Sequence, residues 1–174
     1  EVRVSHIVSS VCLPKCETVA RECDNAKIYQ LYTHGDEPWG MDIIGRAQAA
    51  GYKAFCLTVD PQVYSRRERD RAKRYQPAAA RRAGFAPAQT RPATLQASLS
   101  WDLVRRIKDR FSIPLVLKGI ACAEDASLAV ETGVDVVYVS THRGPQTDQG
   151  PRHPSQPPQR TATAGGRAVR RIPE

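Results

Sequence analysis

The sequence predicts an α/β protein built on a parallel sheet of about five strands. The prediction rests on short apolar segments that do not alternate with polar residues, and on the helical segments between them. The clearest pair of strands covers residues 114–117 and 136–139, and the segment between them begins with Glu124 and Asp125 before an apolar helical pattern. This order predicts a βαβ unit with both strands buried. Ligands of such sheets usually bind beyond the carboxyl ends of the strands.

The same alternation runs through the first 60 residues. Strands are predicted at residues 4–11, 27–32 and 54–60 because each segment is apolar, rich in β-branched or aromatic residues, and ends in polar ones. Helices are predicted at residues 14–21 and 39–50, and Gly51 is expected to end the second of them. A further helix is expected after residue 100.

That further helix leads into the βαβ unit. Ser100 is a suitable N-cap residue. Leu103, Val104, Ile107 and Phe111 follow at helical spacing and predict an apolar face.

Two segments do not fit the α/β pattern. Residues 61–98 are rich in Arg, Ala and Pro, which predicts a mobile loop. Residues 149–174 contain several prolines and no large apolar run, which predicts a disordered tail. We therefore expect a folded region at 1–148 and a tail at 149–174.

The formal charge of +8 raises the question of an anionic partner such as nucleic acid. Much of the arginine lies at residues 66–91 and 152–171 with little aromatic interleaving, so a solvated loop and tail are expected and nucleic acid is not. Five cysteines without a paired CxxC spacing favour reduced thiols, no metal site and a cytoplasmic protein. No apolar run approaches the roughly 20 residues that span a bilayer, and no signal pattern is visible.

Polar residues collect where the predicted strands end. They are Ser9, Ser10, Gln30, Tyr32, Thr58, Asp60, Lys118, Ser140 and His142. Exposure to solvent explains a lone Ser10 or Thr58, but it explains less well why a lysine, a histidine, an aspartate and a tyrosine share this edge. The set predicts a chemical site there.

Several segments resemble one known family. They are IVSSV, YQLY, RAQAAGYKAFCLTVD followed by RRERD, LSW, and IPLVLKGIACAEDASLAVETGVDVVYVSTH, and they cover most of residues 4–148. They are similar to the FMN-dependent α-hydroxy-acid oxidases and dehydrogenases, which include glycolate oxidase, lactate oxidase and flavin-dependent L-lactate dehydrogenases. The resemblance implies a partial (β/α)8 TIM barrel with strands two to six, truncated at both ends.

The resemblance also implies catalytic and substrate-binding residues. His142 falls on the family's active-site base, and Asp60 falls on the carboxylate that holds and polarises the imidazole. Tyr32 matches a tyrosine that hydrogen-bonds the substrate. Arg67 matches an arginine that pairs with the substrate carboxylate, a role that suits a planar guanidinium.

FMN is the cofactor that the resemblance implies. Lys118 matches the lysine at the flavin N1 and O2 edge, where a cation stabilises the reduced anion. The positions that match hydrogen-bonding partners of the ring or ribityl chain are Ser9, Gln30, Thr58 and Ser140.

The expected reaction is oxidation of a small L-2-hydroxy acid, of the lactate or glycolate type, to the 2-oxo acid. One departure bears on it: Pro145 stands where the family has a second arginine for the substrate carboxylate. The alternative is a non-catalytic barrel remnant whose basic loop and tail bind a polyanion such as nucleic acid. Self-association of the chain stays open.

Overall fold

Strands and helices alternate along the described part of the chain, as the sequence predicts. The computed structural model describes residues 4–12, 14–33, 35–60, 72–74 and 99–139. The elements are β1 (His6–Ser9), α1 (Cys16–Glu22), β2 (Lys27–Leu31), α2 (Glu37–Ala49), β3 (Ala54–Thr58), α3 (Trp101–Arg110), β4 (Leu115–Lys118), α4 (Ala123–Glu131) and β5 (Val136–Tyr138). Most of the predicted loop at 61–98 and all of the predicted tail at 149–174 lie outside these residues.

The start of α2 differs from the predicted one for a local reason. Asp36 is its N-cap, and one carboxylate oxygen accepts a hydrogen bond from the Trp39 amide at 3.0 Å. Pro38 lies in the first turn, where an amide hydrogen would have no partner within the helix. The helix therefore begins at Glu37, two residues before the apolar periodicity becomes visible.

The end of α2 agrees with the prediction at Gly51. This glycine has φ +82°, a left-handed conformation that suits a residue without a side chain. Its amide donates to the Gln48 carbonyl at 3.0 Å, and the Tyr52 amide donates to the Ala47 carbonyl at 3.2 Å. The two bonds form a Schellman motif, which turns the chain into β3.

The five strands form one parallel sheet in the order β1-β2-β3-β4-β5. Each strand pairs with the strand that precedes it in the sequence. A doubly wound sheet would reverse its strand order at some point, whereas a barrel adds its strands in sequence. The observed order therefore agrees with the predicted partial barrel.

The register gives the sheet two different faces. One face packs against the helices and carries the strand residues Tyr29, Leu31, Phe55, Leu57, Leu115, Leu117 and Val137. The helices contribute Ile44, Ala47, Leu103, Ile107, Ala126 and Ala129 to the same apolar core. The residues that alternate with the first set form what we call the second face: Ser9, Gln30, Cys56, Thr58, Val116, Lys118, Val136 and Tyr138.

Ion pairs connect neighbouring helices on the outside of the molecule. Arg46 of α2 contacts Glu17 of α1 at 2.5 Å. Arg106 of α3 binds both carboxylate oxygens of Glu37 at 2.8 Å. Because these side chains are substantially exposed, each pair contributes little to stability on its own.

A buried polar contact connects β2 and β3 on the second face. Gln30 Nε2 donates to Thr58 Oγ1 at 2.8 Å, and Thr58 is fully buried. Thr33, also buried, has a hydroxyl oxygen without a hydrogen-bond partner among the described residues. The Thr58 hydroxyl therefore takes part in a hydrogen bond between strands, whereas the Thr33 hydroxyl has no partner among the described residues.

Replacing Glu17 with Gln should reduce stability in a pH-dependent way. The residue's own backbone amide and Arg46 lower the pKa of the Glu17 carboxyl from 4.5 to about 2. A carboxyl whose pKa is lower in the folded than in the unfolded chain stabilises the folded state above pH 4.5. This stabilisation is lost as the pH falls towards about 2. For so exposed a pair we expect a loss of about 0.3–1 kcal/mol at neutral pH, measured by urea denaturation. The control is Glu22→Gln, whose partner Arg21 is more exposed; an equal loss at neutral and acidic pH would contradict the assignment.

Replacing Thr58 with Val should cost more than the same change at Thr33. The first substitution leaves a buried Gln30 amide hydrogen without its acceptor, which typically costs about 1–3 kcal/mol. The second removes a hydroxyl oxygen that accepts no described bond, so its effect should be near zero or stabilising. Urea denaturation of both variants measures the difference, and equal losses would show that the hydrogen bond contributes nothing.

Candidate functional site

Four of the sequence-predicted site residues lie on the second face, one from each of four neighbouring strands. Ser9 of β1 pairs in register with Gln30 of β2. Thr58 of β3 pairs in register with Lys118 of β4. Because paired residues of a parallel sheet share a face, the four side chains belong to two adjacent rows near the carboxyl ends of the strands.

Gln30 and Thr58 present a defined set of hydrogen-bonding groups. Their mutual bond uses one amide hydrogen of Gln30 and one lone pair of Thr58. A glutamine oxygen can still accept a bond, and a threonine hydroxyl can still donate one. Both residues are at least nine-tenths buried, so their geometry is fixed before any ligand arrives.

Lys118 brings a cation to the same face. Its Nζ atom lies 5.7 Å from the centre of the Tyr138 ring, and the two residues are register partners on β4 and β5. An ammonium group at this distance from an aromatic ring is attracted to the negative face of the ring. Tyr138 was not among the predicted site residues, although its spacing within β5 would have placed it on the second face.

Cys56 lies next to these groups and was also not predicted. It pairs in register with Gln30 and Val116, and only 2% of it is exposed. Burial raises the pKa of its thiol to about 12, while Lys118 lowers this pKa and Asp60 raises it. The thiol is therefore neutral at physiological pH, and it lies within the electrostatic range of both charged groups.

Tyr32 and Asp60 follow directly beyond the strand ends. The Tyr32 amide donates to Ser10 Oγ at 3.0 Å, which connects the ends of β1 and β2. Asp60 follows Val59, whose amide donates to the Lys118 carbonyl at 2.9 Å. The Oδ1 atom of Asp60 is buried. Both predicted residues therefore lie at the edge where the second face carries its polar groups.

Three predicted site residues, Arg67, Ser140 and His142, lie outside the described residues, so their roles stay predictions. Two searches of the described residues were negative. No group of three His, Cys, Asp or Glu side chains there could hold a metal ion. No helix in that part of the chain is long and apolar enough to cross a membrane.

Known proteins are similar to this chain in sequence. A 2-hydroxy-acid oxidase of Oryza sativa subsp. japonica, named as peroxisomal, is 38% identical over 156 residues, which cover 82% of this chain and 42% of that protein. An L-lactate oxidase of a Nostoc species is 36% identical over 156 residues, covering 80% of this chain and 43% of that protein. The chain thus spans less than half the length of these relatives.

Solved structures of related enzymes also superpose on this chain. A soluble mutant of the membrane-associated (S)-mandelate dehydrogenase from Pseudomonas putida superposes with a TM-score of 0.79 at 26% identity, covering 93% of this chain and 49% of that one. The flavin-binding domain of baker's yeast flavocytochrome b2 gives a TM-score of 0.70 at 26% identity, covering 84% of this chain and 36% of that one. The described sheet therefore corresponds to part of a TIM-barrel flavoenzyme fold.

The sequence profile of one family covers almost the whole chain. It is described as FMN-dependent dehydrogenase, and it matches residues 1–168. The match continues past residue 148, where the motif likeness seen in the sequence ends. Taken with the parallel sheet and the shared motifs, this match shows that the chain belongs to the FMN-dependent dehydrogenase family.

Proposed function

We propose that this chain binds FMN against the second face and takes part in oxidising a small L-2-hydroxy acid to the 2-oxo acid. The observation that supports the proposal most directly is the placement of Ser9, Gln30, Thr58 and Lys118 on one face of four adjacent strands. The relatives that are named as 2-hydroxy-acid and lactate oxidases support the substrate class.

The donors and acceptors on this face fit an isoalloxazine ring. The pyrimidine edge of the ring carries an N–H donor between two carbonyl acceptors. Gln30 can supply an acceptor, Thr58 can supply a hydroxyl donor, and Lys118 can supply ammonium donors. FMN, when bound, would supply the acceptor for two electrons.

Lys118 has an electrostatic role in the proposal. A fixed ammonium stabilises negative charge that develops beside it, and the stabilisation is larger where water is excluded. The Tyr138 ring restricts where this ammonium can lie. The lysine would therefore favour both binding of the ring and the charge that accompanies its reduction.

Proton transfer is assigned to His142, which lies outside the described residues. His142 would accept a proton from the substrate, and the Asp60 carboxylate would orient the imidazole and stabilise its charged form. Tyr32 and Arg67 would hold the substrate by a hydrogen bond and by carboxylate pairing.

The proposal also covers the type of substrate, the location of the protein and an alternative function. A lactate-type or glycolate-type substrate is proposed because relatives are named as L-lactate oxidase and glycolate oxidase. A cytoplasmic location is proposed from the cysteine pattern, although one relative is named as peroxisomal. Binding of a polyanion by residues 66–91 and 152–171 is the alternative function, and almost all of these residues lie outside the described ones.

Titration of the purified chain with FMN tests the proposal. We expect FMN fluorescence to be quenched on binding, and the visible absorbance of bound FMN to bleach when L-lactate or glycolate is added without oxygen. Lys118→Met should weaken FMN binding roughly 10- to 100-fold, because a charge-assisted hydrogen bond contributes about 1.5–3 kcal/mol.

Lys53 provides the matched control. It is exposed and precedes β3, at the opposite end of the strand from the site. Lys53→Met removes the same charge, so it should leave FMN binding unchanged. A chain that does not quench FMN, or two lysine variants with equal affinity, would contradict the proposed site.

A further inference from the structure

We propose that Gly119 is a positioning residue for Asp60: the absence of a side chain at position 119 allows the Asp60 carboxylate to lie at the carboxyl ends of β3 and β4. The inference deepens the proposed function, in which Asp60 orients the His142 imidazole, and rests on it for its chemical meaning. The steric relation between Gly119 and Asp60 does not depend on FMN.

The space beside Gly119 is filled by Asp60. A Cβ atom built on Gly119 would lie 2.5 Å from Asp60 Cγ, 2.6 Å from Asp60 Cβ and 2.6 Å from Asp60 Oδ1. Real Cβ atoms essentially never approach other heavy atoms below 3.0 Å. Any side chain at this position therefore requires Asp60 or the backbone of residue 119 to move.

The backbone around Gly119 is held on both sides. The Lys118 carbonyl accepts a hydrogen bond from the Val59 amide at 2.9 Å, which extends the pairing of β3 with β4. The Gly119 amide donates to the Tyr138 carbonyl at 3.0 Å, which extends the pairing of β4 with β5. Both bonds oppose a shift of the backbone at residue 119, so we expect at least part of the displacement to fall on Asp60.

Rotation of the Asp60 side chain does not remove the overlap. The Cβ atom of Asp60 is itself 2.6 Å from the added carbon, and rotation about the Cα–Cβ bond leaves this atom where it is. A displacement of Asp60 therefore has to move its backbone, and the carboxylate moves with it. A carboxylate that orients a base depends on its position to within about 1 Å, where misplacement costs about 100-fold in rate.

Gly119 also has φ +105°, so alanine is strained there even without a contact. Gly51 separates the two effects. It has φ +82°, and a Cβ atom built on it meets nothing within 4 Å. Gly51→Ala therefore shows the cost of a positive φ without a contact, and the part of the Gly119→Ala cost that disappears when Asp60 is replaced measures the contact with Asp60.

The first test is a double-mutant comparison by urea denaturation of the whole chain. Gly119→Ala should lower the midpoint more than Gly51→Ala does. Asp60→Gly removes the three atoms that the new Cβ would meet. In that background, the excess of the Gly119→Ala cost over the Gly51→Ala cost should become smaller. An equal excess in both backgrounds would overturn the inference.

A variant that does not fold still gives a result. If Gly119→Ala alone is unfolded, recovery of folding in the Asp60→Gly, Gly119→Ala double variant supports the inference. Failure of the double variant, while Asp60→Gly alone folds, contradicts it.

The second test follows the carboxylate itself. In protein labelled with ¹³C-aspartate, the Asp60 carboxyl signal is identified by its loss in Asp60→Gly. Gly119→Ala should move this signal at neutral pH, and Gly51→Ala should leave it in place. An unmoved signal in Gly119→Ala would show that the glycine has only a backbone role.

The third test concerns the reaction. In the FMN-loaded chain, Gly119→Ala should slow bleaching by L-lactate about 100-fold and change its pH profile, whereas Gly51→Ala should do neither. Equal rates and profiles in the two variants would overturn the link to Asp60. Failure of the chain to bind FMN would contradict the proposed function and leave the first two tests valid.

Discussion

The parallel register of the sheet is the constraint on which the candidate site depends. Side chains of neighbouring parallel strands that share a register row share a face, so a polar residue at the end of each strand adds to a common surface. Ser9 and Gln30 form part of one row, and Thr58 and Lys118 form part of the next. A shift of one residue in any strand would turn its polar side chain into the apolar core.

Charges and hydrogen bonds on this surface support one another. The Gln30–Thr58 bond fixes two neutral groups, and the Tyr138 ring restricts the Lys118 ammonium. The opposite charge lies at Asp60, and both charges act on the buried Cys56 thiol. Because Gly119 has no side chain, the Asp60 carboxylate can lie at the same edge. The described part of the site is therefore held mainly by the strands, which favours a fixed geometry.

Much of the fold could be predicted from the sequence because short apolar runs without alternation are typical of buried parallel strands. Boundaries were less accurate, as at Asp36, where a cap and not the apolar periodicity sets the start of α2. The strand pattern predicted the polar strand ends, and the family resemblance gave them expected roles. Neither pointed to Cys56 or Gly119, because their surroundings depend on contacts across strands. Asp60 and Gly119 are far apart in the sequence, and only the folded sheet brings them together.

The central claim is that FMN binds to the second face at the carboxyl ends of the strands. The most direct measurement is a ¹H–¹⁵N NMR spectrum of the chain as FMN is added. The account predicts that the Gln30 side-chain amide and the backbone amides of Ser10, Val59 and Gly119 shift together with one affinity. Shifts confined to the outer helices, or no shift at saturating FMN, would contradict it.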